Sequence, residues 1–377
     1  MNKKIWIGVL TAAVLAVGGY LVYNRLPEPA VESKFVQEVR EETEITPEPD
    51  SNEEREEQES VEIVEPGRKA LLENPRHMYQ SFNNCGPATL AMTLSWYGVG
   101  VSQEELADRM RPYQHPEGDN DDKTIFTYEF VDWAEEYDLR AVGRVNGDIE
   151  LLKKFVANGI PVVVKTWLNP GEDIGHFRIV RGFDEEQKVI IQDDSYQGPN
   201  RRISYYDFLS MWQPFNYNYI VVYKPEMEDK VRAILGSEIE AQVAWGNALL
   251  RAEKEDELAE DNPYPKFNIS TAAYHLGEYE RSVEAFEKVE GRLPRRMLWY
   301  QIEPILAYKE LGEYRKVFEI TDEILSDGNE AFSELYIIRG EIYQQRGEIE
   351  KAREQYQLAV KYNENLETAK EKLESLN

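Results

Sequence analysis

Gln80-Ser81-Phe82-Asn83-Asn84-Cys85-Gly86-Pro87-Ala88 is the stretch on which the reading of this chain turns. Downstream, Ala88, Leu90, Ala91, Leu94 and Tyr97 are apolar at helical spacing, and Gly98 closes the run. Pro87 suits the first turn of a helix, where its missing N–H costs nothing. The Cys85 thiol then sits at a helix N-terminus, beside unpaired N–H groups and the positive end of the helix dipole. That setting favours the thiolate, the form of cysteine that attacks. A lone cysteine is more often a small buried hydrophobe, but here the polar lead-in Asn83-Asn84 reverses that preference.

The composition narrows what such a thiol can be for. Among 377 residues there is one cysteine and there are four histidines, so neither an intramolecular disulfide framework nor a Cys-rich zinc site is available. Acids outnumber bases 71 to 43, a net charge of −28, and a surface of that sign repels phosphate backbones and excludes nucleic acid as a partner. Asp119-Asn120-Asp121-Asp122 lacks the glycine and terminal glutamate of an EF-hand loop and reads as a solvated loop. No Gly-rich phosphate loop is present, no metal site is expected and no cofactor is required.

Further along, Gly159-Ile160-Pro161-Val162-Val163-Val164-Lys165 reads as a buried strand. Two more β-type runs, His176 to Phe183 and Lys188 to Asp193, flank the polar turn Asp184-Glu185-Glu186-Gln187 and predict a hairpin. His176 and Asp193 are about equally far from the turn, so antiparallel pairing makes them neighbours. A carboxylate beside an imidazole fixes its tautomer and supports the imidazolium.

The segments Gln80–Ala88, Gly175–Phe183 and Val189–Asp193 resemble the papain-like cysteine peptidases that process bacteriocin double-glycine leaders, and their stand-alone relatives. The resemblance spans roughly residues 80–223, with Gln, Cys, His and Asp in the family's order. It implies Cys85 as nucleophile, His176 as general base, Asp193 as the orienting acid and Gln80 as an oxyanion-hole donor. The family's acid is usually followed by proline, whereas Asp193 is followed by Asp194. The transporter-coupled role is not implied, because no P-loop follows.

The C-terminal part is periodic. His275-Leu276-Gly277-Glu278-Tyr279, Glu310-Leu311-Gly312-Glu313-Tyr314 and Gln345-Arg346-Gly347-Glu348-Ile349 align as one turn between two helical runs. The fixed interval, close to a period of about 34 residues, resembles tetratricopeptide repeats. Pro304 falls inside the first helix of the second repeat, where a late start or a kink is expected. The array is expected either to offer a groove to a protein partner or to pack against the preceding domain.

At the other end, residues 5–23 carry no charge and follow Lys3 and Lys4. At about 1.5 Å per residue, a helix of that length nearly spans a hydrocarbon core of about 30 Å. Residues 24–66 are proline-containing and strongly acidic, a composition that cannot offset its ordering entropy.

The expected architecture is therefore a cytoplasmic stub and single-pass transmembrane helix (1–23), a disordered acidic linker (24–66), an α+β papain-like peptidase domain (67–225), a connecting helix (226–262) and an all-α tetratricopeptide solenoid (263–377). The expected function is hydrolysis of peptide bonds in a peptide or protein substrate, with the repeats recruiting a substrate or partner. A catalytically silent cell-surface scaffold, and a thiol-dependent amidase or acyl transferase acting on cell-wall peptides, are the alternatives. The positive-inside rule puts the folded parts outside the cell membrane. Protease added to intact cells should then remove both domains, and protection of a reporter fused after Asn377 would reverse the orientation.

Overall fold

The computed structural model describes residues 61–113, 125–259 and 261–376. The expected transmembrane segment, most of the acidic linker and the Asp119–Asp122 run lie outside the described residues. Among the described residues no helix is long and apolar enough to cross a membrane.

The first half of the described chain is built on an antiparallel sheet. Its elements in chain order are β1 (Lys69–Leu71), α1 (Cys85–Ser95), α2 (Gln103–Met110), α3 (Thr127–Glu135), β2 (Arg140–Arg144), α4 (Ile149–Ala157), β3 (Val162–Trp167), β4 (Gly175–Asp184), β5 (Val189–Asp194), β6 (Gly198–Ser204), α5 (Tyr205–Trp212) and β7 (Tyr219–Tyr223). The strand order is β2-β7-β3-β4-β5-β6, with β1 paired to the far end of β4. Strand β3 opens on the apolar run Val162–Val164, whose two faces are both covered. Val163 joins Leu90, Phe130 and Ile179 under α1 and α3. Val162 and Val164 join Leu152, Phe155 and Trp212 on the opposite side. The expected hairpin is β4–β5, and it carries one irregularity, a bulge between Val180 and Gly182.

Helices α6 (Glu228–Leu235) and α7 (Ala241–Leu258) lead into an antiparallel array: α8 (Pro263–His275), α9 (Tyr279–Glu287), α10 (Met297–Tyr300), α11 (Glu303–Glu310), α12 (Tyr314–Ser326), α13 (Ser333–Gln345), α14 (Ile349–Tyr362) and α15 (Glu367–Glu374). The three aligned glycines close α8, α11 and α13 with φ of +79°, +74° and +73°, a conformation that costs a residue without Cβ little. Each is followed by the same bond, from Glu278, Glu313 and Glu348 N–H to the carbonyls of Ala273, Tyr308 and Tyr343, all at 2.9 Å. These are Schellman closures, which satisfy carbonyls that the helix end would leave bare. Pro304 causes a late start: α11 begins at Glu303, with the proline in its first turn.

The array is not a separate body. Trp167 of β3, Met211 of α5 and Phe215 just after it share one hydrophobic core with Phe267, Phe286, Trp299 and Ile305 of the array. Polar contacts rim it: Arg296 bonds Asp173 at 2.8 Å, and Gln301 Nε2 donates to the Pro214 carbonyl at 2.8 Å. At the far end, Arg111, 1 % exposed, pairs with Glu129 and with Glu334 of α13.

Within the array, Gly340 on α13 leaves room for the Tyr356 ring of α14, and a Cβ there would overlap it. Gly340→Ala should destabilise the protein by about 1–3 kcal/mol through overpacking. Gly246→Ala, whose new methyl on α7 meets open space, should be neutral or stabilising by up to about 1 kcal/mol. Thermal or denaturant unfolding of the two variants checks the contrast.

Candidate active site

Asn83 (φ +59°) turns the chain ahead of α1, a left-handed position that asparagine tolerates. The turn is closed by the Asn84 N–H on the Ser81 carbonyl at 3.2 Å. Helix α1 then starts at Cys85 with Pro87 in its first turn, and Cys85 is half-buried. Gly86 is required by the approach of Ile125, whose side chain occupies the space of a Cβ.

His176, 3 % exposed, is the second residue of β4. Its Nε2 lies 2.9 Å from Asp194 Oδ1. With Nε2 so engaged, Nδ1 is the ring nitrogen left for the neighbouring Cys85 thiol, whose influence helps to raise the imidazole. Cysteine, histidine and an acid are thus in series.

The acid is Asp194, not the expected Asp193. The bulge explains the exchange. Continued without interruption from Asp184–Val189, the hairpin register would set Asp193 opposite Val180 and on the face of His176. The extra residue at Arg181 shifts the pairing by one, so Arg178 lies opposite Asp194 and Ile179 opposite Asp193. Asp193 faces the other way, accepting from Arg181 Nε and the Asn200 N–H at 2.8 Å each and from Asn74. Those bonds fasten the segment after β1 to the sheet, a structural task. The available sequence signal was Arg178, a charge two residues from His176 on the same face of a buried strand, which needs an acid on that face.

Asp194 is fully buried and saturated. It accepts from His176, from Arg178 Nε at 2.8 Å and from the Tyr196 and Gln197 N–H groups at 2.7 Å each. Arg178 is held in turn by Thr166 and by the carbonyls of Trp167 and Leu168. Burial alone would raise the Asp194 carboxyl, but the His176 hydrogen bond and the charges of His176 and Arg178 pull it far below the usual carboxylate range. Burial alone would lower His176, but the Asp194 hydrogen bond, with the Cys85 thiol beside it, outweighs burial and raises the imidazole. Gln80 lies beside this network: its N–H donates to the Ser195 carbonyl and its Oε1 accepts from the Ser195 hydroxyl, both at 2.8 Å. With Oε1 so engaged, the amide's donor end is free of protein partners among the described residues.

The array reaches this site through Tyr300. A Cβ on Gly175, the residue before His176, would stand 2.7 Å from the Tyr300 ring. Sequence reasoning did not single out Arg178, Asp194 as the acid, or Tyr300.

Residues 71–220 match the model of the Peptidase_C39 like family, and residues 333–366 match that of the tetratricopeptide repeat. Among solved structures, the peptidase domain of Streptococcus ComA, a bifunctional ABC transporter of a quorum-sensing pathway, aligns at 19 % identity with a TM-score of 0.31, over 39 % of this chain and 96 % of that one. MamA from Desulfovibrio magneticus aligns at 17 % identity with a TM-score of 0.30, over 39 % of this chain and 92 % of its own. No curated protein matches.

The raised His176 and depressed Asp194 stabilise the folded state in a defined window. The Asp194 contribution is complete above about pH 4, the ordinary aspartate range, and is lost as pH falls through its depressed value. The His176 contribution is complete below about pH 6.5 and is lost as pH rises through its raised value. In an NMR titration, His176 should hold its proton above the ordinary imidazole range. Asp194→Asn should drop it below that range, because burial then dominates. Asp193→Asn should leave it in place; the opposite ranking would restore Asp193 as the orienting acid.

Proposed function

We propose that this chain, a Peptidase_C39-like domain followed by tetratricopeptide repeats, is a cysteine peptidase anchored in the cell membrane with its folded part outside. The observation that carries the catalytic reading is the buried His176 imidazole, bonded through Nε2 to the buried Asp194 and raised both by that bond and by the Cys85 thiol. In this mechanism His176 Nδ1 takes the thiol proton and Cys85 Sγ attacks the scissile carbonyl carbon. The Cys85 N–H at the start of α1 and the Gln80 amide donate to the resulting oxyanion. The imidazolium, stabilised by Asp194, returns the proton to the leaving amine, and water then hydrolyses the thioester. The substrate is a peptide or protein, and the repeats recruit it or a protein partner. The anchor is supported by the uncharged segment 5–23 behind Lys3 and Lys4.

The decisive comparison is of peptide fragments released by wild type and Cys85→Ala. Cleavage should vanish with Cys85→Ala and fall about a hundredfold or more with His176→Ala or Asp194→Asn, the scale of lost general acid–base catalysis. Iodoacetamide should alkylate Cys85 faster in wild type than in His176→Ala. Equal alkylation rates together with no released fragments would favour the silent scaffold.

A further inference from the structure

Between the sheet and the array lies a cavity of about 510 Å³, walled by β2, the start of α3, α7 and α11. That volume, at a junction of two layers, is in the range of small-molecule sites. Its floor is Lys165, only 5 % exposed, on the central strand β3. The ammonium has no carboxylate partner within ion-pair distance among the described residues. It reaches only the Ile125 and Tyr300 carbonyls, at 3.5 and 3.4 Å, the outer edge of hydrogen bonding. Four rings box it in, those of Phe126, Phe177, Phe215 and Tyr300, with centroids 5.5–5.8 Å away. Aromatic faces offset part of the cost of burying a cation, and a close anion offsets more.

On the array side, Glu303 opens α11 and lines the same cavity. Its Oε1 meets His275 Nε2 at 3.2 Å, while Oε2 is buried with no partner. Glu303 is also the charge that acts most strongly on Lys165, although the two form no ion pair. Burial pushes the Lys165 ammonium down to about 8 against that attraction, so the lysine is short of an anion. The cavity thus presents an under-used cationic donor and an unused anionic acceptor, facing an apolar space.

We propose that this cavity binds a zwitterion of amino-acid or short-peptide size, its carboxylate accepting from Lys165 and its ammonium donating to Glu303 Oε2. The aromatic walls take the ligand's apolar parts, and Trp245, stacked on His275 at 3.9 Å, closes the outer side. Neither Lys165 nor Glu303 is a member of the Cys85–His176–Asp194 series, although Tyr300 borders both the cavity and Gly175 beside His176.

Calorimetric titration of the full chain, carrying Cys85→Ala to prevent turnover, tests the assignment. The titrants are alanine, alanyl-alanine, N-acetyl-alanyl-alanine and alanyl-alanine amide. The dipeptide should bind saturably at one site, and capping either end should weaken it tenfold or more. Alanine binding as tightly as the dipeptide identifies a free amino acid as the ligand; tighter dipeptide binding identifies a chain end. Lys165→Met should abolish discrimination against the amide, and Glu303→Gln, a near-isosteric change, discrimination against the acetylated peptide. Absence of heat with all four titrants at millimolar concentration overturns the proposal. So does binding that both variants leave unaltered, or binding indifferent to both caps.

Discussion

A guanidinium buried in the middle of a strand constrains everything near the thiol. Arg178, 1 % exposed, cannot remain charged there without an anion, and the anion it holds is Asp194. Removing one partner of such a buried pair typically costs about 3–5 kcal/mol, because the other charge is left without compensation. The pair also fixes where the carboxylate points. Its second oxygen, pinned by two backbone N–H groups, is the one that meets His176. The orientation of the imidazole follows from a charge balance made two residues along the same strand.

The same strand pair ties the two halves of the molecule. Thr166, Trp167 and Leu168, which hold Arg178, run directly into the core shared with the array, where Trp167 packs edge-on against Phe215 and Tyr300. Large aromatic side chains dominate the burial at such junctions. A junction this apolar is typical of permanent contacts, not of a hinge between independent domains.

Much of this is legible in the sequence. The helix start at Cys85 was visible because Pro87 and the apolar spacing agree, and the repeat turns because a left-handed closure demands glycine at the same place each time. His176 was found because its strand is strongly patterned. The acid was misread for one local reason: counting residues from a turn assumes an unbroken ladder, and a bulge at Arg181 changes the parity of every residue beyond it. Lys165 closes the apolar run that reads as a buried strand, but the strand continues to Trp167, and nothing in a run of valines announces that the ammonium is enclosed by four rings from other segments. Tyr300 was invisible for the same reason. Its role depends on where α10 docks, and docking is a long-range outcome that local periodicity does not encode.

The bare Cα of Gly175 has a consequence for how such a chain evolves. Because the Tyr300 ring fills the space beside it, the residue preceding the histidine is fitted to a residue of the other half, far away in sequence. Recombination that grafted a different helical array onto this sheet would leave a hole against Gly175 or a clash across it. The two halves therefore fit only as a matched pair: a larger residue at 175 calls for a smaller side chain at 300.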